Sequence, residues 1–150
     1  MIMKPFVPDD FDDYLTLSRE FYASDATDHS VPDIHFQRSF DETVSGSALA
    51  RGWMIRENPE DPAAGYLLAS LTWSNEFGGR IAWLEELYLR PETRGRGLGR
   101  KVFEAVLEEL KAKDQVVGFR LEVTPDNTAV ILYQSLGFTH VPYNQLCLIV

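Results

Sequence analysis

The stretch with the most chemical consequence is Arg94-Gly95-Arg96-Gly97-Leu98-Gly99-Arg100-Lys101. Three alternate glycines let a backbone turn tightly and approach a ligand with no Cβ in the way. An amphipathic helical pattern follows, so free N–H groups and the positive end of a helix dipole point at whatever the loop holds. Arg94, Arg96, Arg100 and Lys101 add positive charge. A ligand carrying phosphates is expected here. The spacing is not that of a Walker loop, which needs Gly-x-x-x-x-Gly-Lys-Ser/Thr. A dinucleotide fingerprint also fails, because the third glycine comes one residue early and the preceding strands read as an antiparallel meander. Glu122 stands where a ribose-binding acid could, but reads as an ordinary strand residue.

A second chemical feature lies just upstream. Glu85 and Glu86 interrupt the apolar strand Arg80 to Leu89. Adjacent strand residues point to opposite faces, so at least one carboxylate is expected to face a covered side or a cleft. An unpaired buried charge there costs several kcal/mol. The alternative is one acid solvated at a bulge and the other paired with an arginine. On the residues alone, Tyr133 reads as a core residue of a later amphipathic helix and Asn127 as a cap of that helix.

The elements that must position these groups follow from periodicity and punctuation. Met1 to Val7 reads as a strand stopped by Pro8. Asp9 and Asp10 then lead into a helix marked by Phe11, Tyr14, Leu15, Leu17, Ser18 and Phe21. A second helix is expected over about 33–44. Strands are expected over 53–57, 65–73 and 80–89, the last two as a hairpin. Leu98, Val102, Phe103, Val106, Leu107 and Leu110 mark a helix ending near Lys113. A strand over 119–123 comes next. A helix capped by Asp126 or Asn127 then runs to Leu136, stopped by Gly137. Closing strands are expected around 138–141 and 145–150. The expected fold is α+β: one mixed, mostly antiparallel sheet of about six to seven strands flanked by four helices, with residues 1–150 as a single domain.

Three motifs in order give a family resemblance. Arg94-x-x-Gly97-x-Gly99 matches the Q/R-x-x-G-x-G/A motif of the GNAT superfamily of N-acetyltransferases. Trp83 to Pro91 resembles that family's fourth strand, nearest to the diamine acetyltransferase branch. Asn127 to Tyr133 with Leu136-Gly137-Phe138 resembles its N-x-x-A-x-x-L-Y-x-x-x-G-F element. The likeness covers about residues 50–140.

The resemblance implies acetyl-coenzyme A as co-substrate and no metal. Amides of Gly95, Arg96, Gly97, Leu98, Gly99 and Arg100, with Arg94 at the head of the motif, would hold the pyrophosphate. The Leu87-Tyr88-Leu89 backbone would pair with the pantetheine arm as an added strand, with Asn127 as a further contact. Glu85 would be the base, Glu86 second to it or a site for the amine's charge, and Tyr133 the acid beside the departing sulfur. An alkylamine is protonated at neutral pH and attacks only when neutral, so a carboxylate acceptor suits the chemistry. Asp25, Asp28, His29 and His35 lie where the family builds its acceptor pocket; on their own they read as solvated loop residues.

Composition bounds the partners. The chain has 150 residues, 45% hydrophobic and 25% charged, as folded domains do. Net charge is −9, which argues against nucleic acid and anionic membrane. Residues 1–62 hold 13 acids and 5 bases, net −8; residues 63–150 hold 10 and 9, net −1. An acidic first part beside a basic knot suits two ligands of opposite charge, here a small cationic amine and the coenzyme. A protein N-terminus or lysine is the alternative acceptor, and a non-catalytic acyl-coenzyme A sensor the alternative class. The single Cys147, within an apolar run, is expected buried. With no disulfide framework or metal spacing, the cytoplasm is the expected compartment. A homodimer is expected by analogy with the family.

Overall fold

A computed structural model describes residues 1–24, 27, 29–124 and 127–149. The expectations placed on Asp25, Asp28, Asp126 and Val150 lie outside the described residues. The elements are β1 (Ile2–Pro5), α1 (Phe11–Tyr22), α2 (Asp33–Val44), β2 (Ala50–Arg56), β3 (Gly65–Ser74), β4 (Gly79–Leu89), α3 (Leu98–Asp114), β5 (Val116–Arg120) and α4 (Val130–Ser135). Short 3-10 turns at Pro8–Asp10 and Pro91–Thr93 lead into α1 and the glycine loop.

The sheet runs β1-β2-β3-β4-β5. Neighbours are antiparallel as far as β4, and β5 joins β4 in parallel. A parallel pair needs a long crossover, and α3 supplies it. Strand alternation gives each face its own core. Trp53, Ile55, Leu67, Ala69, Leu71, Ala82 and Leu84 pack with Val102, Phe103, Val106 and Leu110 of α3. Met54, Tyr66, Leu68 and Tyr88 pack on the opposite face with Tyr14 and Leu17 of α1 and Phe36 and Phe40 of α2. Aromatic rings knit this second core together: Phe6 lies 5.2 Å from Phe40, and Tyr14 lies 5.2 Å from Tyr66. Such ring pairs add about 0.5–1.5 kcal/mol each beyond their burial.

Two expectations need correction. The sheet has five strands, not six or seven, because residues 138–149 form no strand among the described residues. Cys147, in that segment, is exposed rather than buried. β5 also begins and ends about three residues earlier than expected, since Val116 supplies its buried end. Among the described residues no helix is long and apolar enough to cross a membrane.

Candidate active site

Gly95 and Gly97 have φ of 76° and 74°, the left-handed region that favours glycine. A Cβ built on either would meet nothing within 4 Å, so the loop surface is open. Gly97 precedes the first turn of α3; no side chain caps that end, and its first turn holds no acid. The leading amides of this helix are therefore left facing outward with positive polarity. A hollow of about 260 Å³ opens beside them, lined by Glu57, Thr93, Arg96, Leu98 and Lys101.

The four loop cations do not share one role. Arg94 folds back, donating from Nε to the Leu89 carbonyl at 2.7 Å and lying 5.6 Å from the Tyr88 ring centroid. It ties the loop to the end of β4. Arg96 pairs with Glu57 at 2.6 Å, and Arg100 donates to Ser135 Oγ at 2.5 Å. Lys101 is exposed and has no ion-pair partner among the described residues.

β4 holds the next feature. Its parallel pairing with β5 covers Arg80 to Trp83 and stops there, opposite Arg120. Beyond that point β4 continues to Leu89, still paired with β3 on its other side. Over 84–89 its β5-side edge has no strand partner among the described residues. An extended ligand can add to such an edge by backbone hydrogen bonds. Leu87, Tyr88 and Leu89 lie on this stretch, which leads directly into the glycine loop.

The two carboxylates sit where β4 departs from regular pairing. Ala69 faces Leu84 and Leu68 faces Glu86, so Glu85 is an inserted residue, a β-bulge. The bulge changes the parity of the strand. Ala82 and Leu84 before it and Leu87 after it all belong to the α3 face. Glu85 therefore joins Glu86 on the face covered by α1 and α2, and the expected split to opposite faces is overturned. Ser70 Oγ, on the same side of β3, donates to Glu85 Oε1.

The pair differ in environment. Glu85 is exposed and lines a cleft of about 420 Å³ with Ser70, Thr72, Trp83, Glu122 and Gln145. Glu86 is sunk beneath it, where Oε1 accepts from Tyr22 at 2.7 Å and Oε2 from Tyr66 at 2.5 Å. Burial pushes the Glu86 carboxyl up; the two phenols draw it down and the Glu85 charge pushes it up further. Among the described residues no arginine partners Glu86: Arg90 instead grips Glu20 through Nε and Nη2, both at 3.0 Å.

Tyr133, on α4, is half-buried, with its ring 5.1 Å from Phe103 and 6.3 Å from Phe138. Burial raises its phenol, and no hydrogen bond holds its hydroxyl among the described residues. Asn127 Oδ1 accepts from the Ala129 N–H at 2.9 Å, so its side chain shapes the turn before α4. Of the segment expected to meet the acceptor, His29 reaches the site through Tyr22, 5.7 Å between rings, whereas His35 lies exposed on α2. Sequence reasoning missed Tyr22, Tyr66 and Ser70, whose part depends on cross-chain contacts.

The site thus combines an open, positively polarised loop, the strand with a free edge that leads into it, and an acidic cleft further back along that strand. The model of the Acetyltransferase (GNAT) family matches residues 11–138, and the chain belongs to that family. The thialysine N-epsilon-acetyltransferase of Sus scrofa is 40% identical over 73 residues, 48% of this chain and 40% of that protein. The match thus spans less than half of that relative's length. Two solved structures share the fold. An integron cassette protein from the mobile metagenome of Cole Harbour Salt Marsh is 23% identical, with TM-score 0.81 over 99% of this chain and 90% of that one. AAC(6')-Iy, in complex with the bisubstrate analog CoA-S-monomethyl-acetylneamine, is 17% identical, with TM-score 0.74 over 97% and 98%.

Proposed function

We propose that this chain transfers acetyl from acetyl-coenzyme A to a primary amine of a small cationic acceptor, a diamine or polyamine, with both bound at once. The observation that carries the reading is the β4 edge left free past Trp83, running straight into the uncapped start of α3. That pairing of features fits a pantetheine arm laid along Leu87 to Leu89 with its pyrophosphate on amides 95–100. Membership of the family and the thialysine acetyltransferase likeness support the reaction type. The AAC(6')-Iy complex supports an amine and a coenzyme meeting on this fold.

The amine must lose a proton before it attacks. Glu85, at the cleft wall, accepts that proton directly or through a water, and Glu86 beneath it adds the second negative charge that draws an ammonium in. The neutral nitrogen then bonds to the thioester carbonyl carbon, and a backbone N–H of the Leu87–Leu89 stretch polarises that carbonyl. The C–S bond breaks as the leaving thiolate takes a proton from Tyr133, and the acylated nitrogen gives up its remaining extra proton to water, from which the phenolate is reprotonated. The products are an acetamide and coenzyme A. A cytoplasmic site and a homodimer belong to the same reading.

The test is thiol release from acetyl-coenzyme A with a panel of diamines, polyamines, monoamines, aminoglycosides and lysine peptides. Turnover with diamines or polyamines at least tenfold above that with monoamines is expected. Preference for peptides would move the acceptor to protein, and silence across the panel with intact coenzyme binding would leave a sensor.

A further inference from the structure

Glu86 carries two partners of different character. Tyr66 is fully buried on β3, its ring held edge-on by Tyr14 at 5.2 Å. It is part of the core. Tyr22 is half-buried at the last turn of α1, 5.5 Å from Phe36 and 5.7 Å from His29 between ring centroids. It stands at the point where the chain leaves α1. Its hydroxyl is one of the two donors to this carboxylate.

We propose that Tyr22 is a positioning residue of the acetyl-transfer site, whose hydroxyl holds the Glu86 carboxylate in place next to Glu85 so that two carboxylates meet the incoming amine. This rests on the acetyl-transfer reading and adds a residue to it. Among the described residues, three groups set the balance at Glu86 besides its burial. Glu85 beside it on β4 favours the neutral form, and Tyr22 of α1 and Tyr66 of β3 favour the charged form. Tyr14 of α1 also faces the cluster, and its own phenol is raised by burial and by the Glu86 charge. His29 touches the ring of Tyr22. The Tyr22 phenol is raised by burial first and by Glu86 next, so it remains a donor throughout the neutral range. Loss of one phenol leaves burial and the Glu85 charge less opposed, and Glu86 gains its proton at higher pH.

The sign follows. Both roles of the pair, accepting a proton and drawing in an ammonium, need carboxylates, so activity lies above the acidic limb. In Tyr22→Phe the ring and its packing stay while the donor goes. The acidic limb of kcat/KM for one diamine should move up by about 1–2 pH units, the worth of one hydrogen bond to a charged group. The variant should be several-fold slower near the limb and within about twofold of the unaltered protein two units above it. A merely structural tyrosine would lower kcat/KM equally at every pH.

A second readout does not need turnover. Side-chain 13C NMR of the glutamates, with Glu86 assigned by Glu86→Gln, follows the carboxyl midpoint in both proteins. A midpoint that rises together with the limb supports the proposal. A midpoint unchanged within about 0.2 unit overturns it, and so does a midpoint that rises while the limb stays put. If the unaltered protein binds coenzyme A yet acetylates no amine, the acetyl-transfer reading falls, and Tyr22 with it, even where the midpoint has moved.

Discussion

Tyr133 shows how one side chain can be read in two ways until its surroundings are known. From the sequence it is a core tyrosine or an acid. The structure gives it a ring packed on Phe103 and Phe138 and a raised phenol whose hydroxyl no described residue holds. The residue is half-buried and its hydroxyl is not sealed from solvent, so the ring serves the core while the oxygen stays within reach of a ligand. Tyr133→Phe should therefore leave the melting temperature within about 2 °C, because the ring and its contacts remain. In the proposed reaction it should lower kcat roughly 10- to 1000-fold, the range of one general-acid contact. Steady-state kinetics and a thermal melt on the same preparation decide it. Unaltered kcat assigns the residue to packing.

At the scale of elements, the bulge in β4 organises the acidic side of the site. Because Glu85 is the inserted residue, its deletion would bring Leu84 next to Glu86 and restore simple alternation without moving any core residue to the wrong face. The shortened strand should fold with a melting temperature no lower than that of the full chain. It should bind coenzyme A normally, by calorimetry, and lose at least about 100-fold in turnover as the proton acceptor goes. A protein that unfolds instead would show that the bulge is needed for the sheet rather than for the site. The bulge also marks where the sequence stops being legible. The glycine loop, the α3 pattern and the apolar strands could be read because each is a local spacing written in consecutive residues. The parity of Glu85 and Glu86 depends on which residue of β3 each one faces, 15 to 20 positions away, and no local pattern carries that. The same holds for Tyr22 and Tyr66, whose phenols meet at Glu86 from α1 and β3. The end of β5-to-β4 pairing at Trp83 is likewise a property of two chains of residues, not one.

For the whole molecule, residues 138–149 carry the opposite lesson: a strand-like pattern that finds no partner strand. They contain no Asp, Glu, Lys or Arg, in a chain that is 25% charged. Leu146 is 94% exposed, Leu148 86% and Ile149 85%. β5, the outer strand of the sheet, shows an exposed Val117 along its edge. An uncharged apolar segment and a sheet edge with no strand partner among the described residues are complementary in kind, as two copies of one chain could use them. Alternating Leu146 and Leu148 would lie on one side of an added strand, as a buried edge requires. Two copies related by a twofold axis can each offer the segment and accept the other's, closing the assembly without leaving a free edge. Light scattering after size exclusion should therefore give twice the 17.1 kDa chain mass at micromolar concentration. Leu146→Glu with Leu148→Glu should return it to a monomer, since charges cannot be buried against an apolar edge without partners. Gln145 of this segment lines the cleft at Glu85, so the monomer should also bind the amine less well, its KM raised several-fold, while coenzyme affinity at the distant α3 end stays the same. A unaltered chain that runs as a monomer would mean that residues 138–149 stay unpaired or fold onto their own β5, and the amine KM of the double variant would then report on the local cleft alone.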